Sequence, residues 1–104
     1  NHLQRAREAL EKAAAIRFYD WTVQNALGMA CFKLGDNETA IHRFSEALRL
    51  EPRAAAVHFN LGLIWKRKGD LTQATAHLEK AVLLGPGWAA PRKELMQLRS
   101  DKTL

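Results

Sequence analysis

Cysteine is almost missing from this chain of 104 residues: Cys31 stands alone, which rules out an internal disulfide or a multi-cysteine metal site. The lone thiol falls inside the apolar stripe of a helical pattern, so it reads as buried and inert. It is compatible with a reducing compartment without requiring one; the compartment stays open, with the cytoplasm favoured. No apolar run approaches the ~20 residues of a membrane-spanning helix, and the amino end lacks the compact apolar stretch of a secretion signal. The sequence opens on Asn1 rather than methionine, which reads as a segment cut from something longer. With six glycines and three prolines there is no low-complexity tract and no glycine-rich phosphate loop. Ser45 and Ser100 lack a nucleophile-elbow context, and Glu46, Glu51 and Glu79 read as solvated. Among the histidines, His42 and His77 fall at nearly equivalent places and His58 on another helix, with no close pair at metal-ligand spacing; they read as scattered surface or boundary residues. No catalytic residue, metal or cofactor is expected.

Charge excludes little more. The net +5 is spread along the chain, and the four acidic and four basic residues of 21–54 cancel. Such a balance mildly favours acidic partners. Lys66-Arg67-Lys68 closes a helical pattern, where cations complement the negative end of the dipole, and no interleaved aromatic-basic motif supports stacking on RNA. Nucleic acid is therefore not an expected partner.

What the chain does contain is a repeat. Leu27-Gly28, Gly35-Asp36, Ala40, Ala47, Leu50 and Pro52 recur 34 residues later as Leu61-Gly62, Gly69-Asp70, Ala74, Ala81, Leu84 and Pro86. A fixed period in this range marks a stack of helical hairpins, each unable to bury its apolar face alone. The spacing predicts helices at 2–16, 21–34, 36–50, 55–68, 71–84 and 89 to about 100. Leu3, Ala6, Leu10, Ala13 and Ala14 form the inner stripe of the first. Asp20 is an N-cap, Asp36 starts the third helix, Asp70 with Gln73 resembles a capping box, and Gly35, Gly69 and Pro52 act as stops. Pro91 sits where a first helical turn tolerates a missing N–H. One domain, 1–104, is expected, since a chain of this length typically buries roughly two-thirds of its unfolded surface. It divides into 1–20 (the second helix of a partial repeat), repeats 21–54 and 55–88, and a capping helix, 89–104. The first helix is in register with the second helix of a hairpin, so it is either the middle of a longer array or an improvised cap.

These residues resemble the tetratricopeptide repeat family. Leu27-Gly28, Ala40, Phe44, Ala47 and Pro52 fit one copy, and Leu61-Gly62, Ala74, Leu78, Ala81 and Pro86 the other. The family's early tryptophan is replaced by Gln24 and His58, and its tyrosine one turn past the glycine by Cys31 and Trp65. The resemblance implies an all-α, right-handed superhelical stack of antiparallel helix hairpins, about six helices in all. It also implies that the first helices line a concave groove. Some members grip a terminal carboxylate there. Asn60 matches one of their asparagines, but Asn25, Met29, Ala90 and Glu94 stand where their other contacts belong, so such a clamp is not expected.

Helical spacing picks the groove face independently. After Leu27, Gly28 and Cys31 are buried, Thr22, Asn25, Met29, Phe32 and Lys33 are left; the matching set is Ala56, Phe59, Asn60, Leu63, Lys66 and Arg67, with Lys93 and Gln97 on the last helix. Met29, Phe59 and Leu63 would form an apolar floor and Lys33, Lys66, Arg67 and Lys93 a basic margin. That combination suits a peptide or helix with apolar anchors and acidic flanks. Equally, Met29 and Phe59 can be packing residues. The expectation is a non-catalytic protein-interaction module. Its alternatives are a self-assembling segment, such as a homodimer, and a substrate-recruiting domain of a larger enzyme.

Overall fold

In a computed structural model, which describes residues 1–102, six helices and no strand occur among the described residues. They are α1 (His2–Ile16), α2 (Trp21–Lys33), α3 (Asn37–Leu50), α4 (Ala55–Arg67), α5 (Leu71–Leu84) and α6 (Ala89–Lys102). Residues 103–104 of the expected capping segment, and the side chains of Asp101 and Lys102, lie outside the described residues.

Local chemistry sets the boundaries. Each orphan N–H at a helix start needs an acceptor. Asn1 supplies one to Gln4, Asp20 to Thr22, Asp36 to Thr39 and Asp70 to Gln73, at 2.8–3.2 Å. The reciprocal half of the expected capping box is not formed: the Asp70 N–H donates to the Trp65 carbonyl at 2.9 Å, because the chain is still closing the end of α4 there. α2 and α4 each stop one residue short of expectation, where Leu34 and Lys68 become caps. The next residues, Gly35 and Gly69, take φ of +85° and +83°, a conformation that a Cβ opposes.

The chain forms two compact units, Asn1–Pro52 and the residues from Arg53 onward. In the first, α2 and α3 make a hairpin that encloses Leu27, Ala30, Cys31, Ala40, Phe44 and Ala47. α1 packs chiefly on α2 and fully buries only Ala14, with Leu3, Leu10 and Ala13 half-buried. Ala6, expected on the inner stripe, is exposed: it shares the arc of Leu10 and Ala13, but the fold leaves it uncovered. In the second unit α4 and α5 enclose Val57, Leu61, Ile64, Ala74, Leu78 and Ala81, and α6 adds Leu95 and Leu98 to the cluster around Ala74 and Leu78. Pro91 is buried in the first turn of α6, where its missing N–H leaves no helical bond unmade.

Candidate interaction surface

Burial divides α2 and α4 in the same way. On α2, Gln24, Leu27, Gly28 and Cys31 are buried, while Asn25, Met29 and Phe32 are half-buried and Thr22 and Lys33 exposed. At 100° per residue the second set forms one strip beside the buried arc. On α4, Phe59, Leu63 and Lys66 are half-buried and Arg67 is exposed, forming the matching strip.

Within these strips the side chains differ in what they offer. Asn60 is 8% exposed and presents almost no surface. The Phe59 ring lies 4.9 Å from that of Trp88, tilted by 58°, and borders the cluster of Leu78, Leu95 and Leu98, so one of its faces serves packing. Lys66 Nζ donates to Glu94 Oε2 on α6 at 2.9 Å, which neutralises part of the basic margin. Lys93 and Gln97 are exposed on α6. Lys68 Nζ stands 5.5 Å from the Trp65 ring centroid, a cation–π contact at the end of α4. The pairing of Phe59 with Trp88 and of Lys66 with Glu94 could not be read from spacing, since both partners lie about one repeat away in sequence.

A polar pair crosses each hairpin. In the first unit Arg43 Nη1 donates to Gln24 Oε1 at 3.3 Å, and Gln24 Nε2 donates to the Phe18 carbonyl at 3.4 Å. Beside them is an open depression of about 250 Å³ bordered by Glu11, Phe18, His42, Arg43, Glu46 and Arg49. Arg43 Nε is enclosed without a hydrogen-bond partner. In the second unit the pair is His58 and His77, with Nδ1 atoms 3.3 Å apart and rings stacked at 5.5 Å. This corrects the reading of the histidines as scattered: His58 is buried at 7% exposure and faces His77 directly. Sequence reasoning missed it because 19 residues across a turn is not a helical spacing. A signal was nonetheless present, since 24 and 43 map onto 58 and 77 under the 34-residue shift.

The ionisable groups follow their surroundings. Burial pushes the Cys31 thiol up and His77 down, the latter helped by His58. Hydrogen bonds from Thr22 hold Asp20 low, and those from Thr39, joined by Arg7, do the same for Asp36. Among the described residues no group of three or more His, Cys, Asp or Glu could hold a metal ion, and no helix is long and apolar enough to cross a membrane.

Comparison with known proteins adds the lineage. A TPR repeat-containing protein of Methanocaldococcus jannaschii is 31% identical over 55 residues, covering 53% of this chain and 10% of that protein. The crystal structure of MamA superposes with a TM-score of 0.90 at 24% identity, over 98% of this chain and 60% of that one. This chain thus spans about a tenth of the archaeal relative and under two-thirds of MamA. The type III secretion translocator chaperone SycD of Yersinia enterocolitica, solved in complex with a peptide of the translocator YopD, gives 0.88 at 18% identity, over 97% and 82% of the two chains. At these identities the structures share the fold. The tetratricopeptide repeat pattern itself matches residues 25–91, and with both hairpins built as that pattern requires, the chain belongs to the tetratricopeptide repeat family.

Proposed function

We propose that this chain is a non-catalytic protein-interaction module that holds a peptide or helix of another protein against the strips of its first helices. The observation that carries this reading is the partial exposure of apolar side chains there. Met29 and Phe32 on α2, and Leu63 on α4, stay half-buried beside fully closed hairpin interiors. Apolar groups at a partly covered position supply affinity when a partner finishes covering them, and the flanking Lys33, Arg67 and Lys93 steer acidic flanks. Helix-in-groove and extended-peptide recognition both use anchors of this kind. That SycD, similar in fold, binds a translocator peptide supports the class of partner.

The test is site-specific photocrosslinking in cell extract, with the crosslinker at Met29 or Leu63 and, as controls, at Ser45 or Lys80 on the exposed sides of α3 and α5. Foreign peptides crosslinked from strip positions and not from the controls support the reading. Equal capture from both would remove it.

A second reading, self-assembly, is favoured by one patch. Leu83 is 77% exposed and borders a shallow depression of about 310 Å³ formed with Val82 and Leu95 between Glu79 and Arg99. Sedimentation across a concentration series decides it: a dimer lost on Leu83→Glu supports self-assembly, and a monomer throughout excludes it.

A further inference from the structure

The two hairpins solve one geometric problem with different chemistry. At the same crossing, 34 residues apart, the first carries Gln24 and Arg43 and the second His58 and His77, each pair meeting at 3.3 Å. A glutamine and an arginine keep their donor and acceptor roles at every physiological pH. Two imidazoles do not. When both rings are neutral, one Nδ1–H donates to the bare Nδ1 of the other, so the contact holds one proton. Protonating one ring puts a positive charge into a pair of which His58 is only 7% exposed, and protonating both turns both Nδ1 atoms into donors and sets two positive charges against each other.

We propose that the His58–His77 contact is an acid-released latch on the α4–α5 hairpin, closed while the rings share one Nδ1 proton and opened when both Nδ1 atoms are protonated, with the Gln24–Arg43 contact as its insensitive counterpart. Several charged side chains of the surrounding elements are engaged or exposed away from the latch. On α4, Lys66 is engaged by Glu94 of α6. On α5, Glu79 pairs with Arg99 of α6 and Lys80 is exposed. On α6, Arg92 donates to the Pro86 carbonyl and Lys93 is exposed. Burial, and after it the charge of His58, depress the affinity of His77 for a proton. The sign follows: the folded chain holds that proton less tightly than the unfolded chain, whose histidine titrates near 6.5. The stabilisation is therefore complete above that pH and is lost as pH falls through the lower, folded-state value.

The experiment uses the full chain. Nitrogen-15 spectra of the histidine rings at pH 8 report tautomers, with the exposed rings of His2 and His42 as references. One protonated and one bare Nδ1 are expected in the His58–His77 pair, with His77 titrating below 6.5. Urea unfolding between pH 8 and pH 5 then compares the native chain with the double variant His58→Gln/His77→Arg, which grafts the first hairpin's pair onto the second. The native unfolding constant is expected to rise by up to about tenfold per pH unit inside the window for one extra proton bound on unfolding, and the variant to lose that slope. Two bare Nδ1 atoms, independent titration of both rings near 6.5, or an unchanged slope in the variant would each overturn the proposal. The ring spectra decide it even where the double variant does not fold.

Discussion

Phe44 fills the space that a side chain on Gly28 would need: a Cβ there would stand 2.5 Å from Cε1 and 2.6 Å from Cδ1 of its ring. The ring is fully buried and cannot swing aside. Gly28→Ala therefore sets a helix-propensity gain of about 1 kcal/mol against an overpacking cost of about 1–3 kcal/mol, and net destabilisation is expected. Gly62 faces Leu78 instead, at 2.8 and 2.9 Å; that side chain is equally buried but stands about 0.3 Å farther off. Urea denaturation should show Gly28→Ala the more costly of the two, with Phe44→Leu relieving part of its loss in the double variant.

The turn glycines separate conformation from space. Gly35 and Gly69 have open surroundings but φ of +85° and +83°, whereas Gly87 has open surroundings and no positive φ. Alanine at 35 or 69 should cost about 1–2 kcal/mol from the left-handed backbone alone. At 87 it should be neutral or stabilise by about 0.4–1 kcal/mol by stiffening the unfolded chain. Thermal unfolding of the three single variants checks the order; equal effects at 35 and 87 would contradict it.

These features were legible in the sequence because each is local or repeats in phase. Gly35-Asp36 and Gly69-Asp70 announce a stop and a start within two residues, and Leu27-Gly28 and Leu61-Gly62 mark the close crossing by recurring. What escaped were contacts between side chains on different helices. His58 and His77 looked unrelated along the chain, and Phe59 gave no hint of Trp88. On α1, Ala6 carries the same alanine as the buried Ala40 and Ala74 yet is exposed, since periodicity names a face but not what covers it. The half-exposed strip of α2 was legible for the converse reason, as the arc that burial of Leu27, Gly28 and Cys31 leaves over.

Acid should weaken the first hairpin at Asp36. Its carboxylate accepts from Thr39 and, at 3.0 Å, from Arg7 Nη2, and these bonds hold it below its ordinary value of 3.8. The folded chain thus binds the Asp36 proton less tightly than the unfolded chain. Its stabilisation is complete above that value and is lost as pH falls through the folded-state one. Asp36→Asn keeps an oxygen for the Thr39 N–H but drops the charge facing Arg7. The variant should be less stable than the native chain at pH 7, and the gap between the two denaturation curves should shrink as pH falls below 3.8. A gap that does not shrink there would show that the charge is not its source.

The proposed strips make a divided prediction for a peptide identified by crosslinking. Met29→Glu and Leu63→Glu each bury a charge where an apolar anchor would sit, so each should raise Kd by about tenfold or more, given that truncating a central anchor costs about 2 kcal/mol. Lys33→Glu and Lys93→Glu touch exposed charges at the margin, so their effect should fall on the association rate and vanish with added salt. Stopped-flow association and equilibrium anisotropy, run at low and high salt, tell the two classes apart. Circular dichroism guards against misfolding, and unaltered affinity in both glutamate anchors would leave the strips without a role in binding.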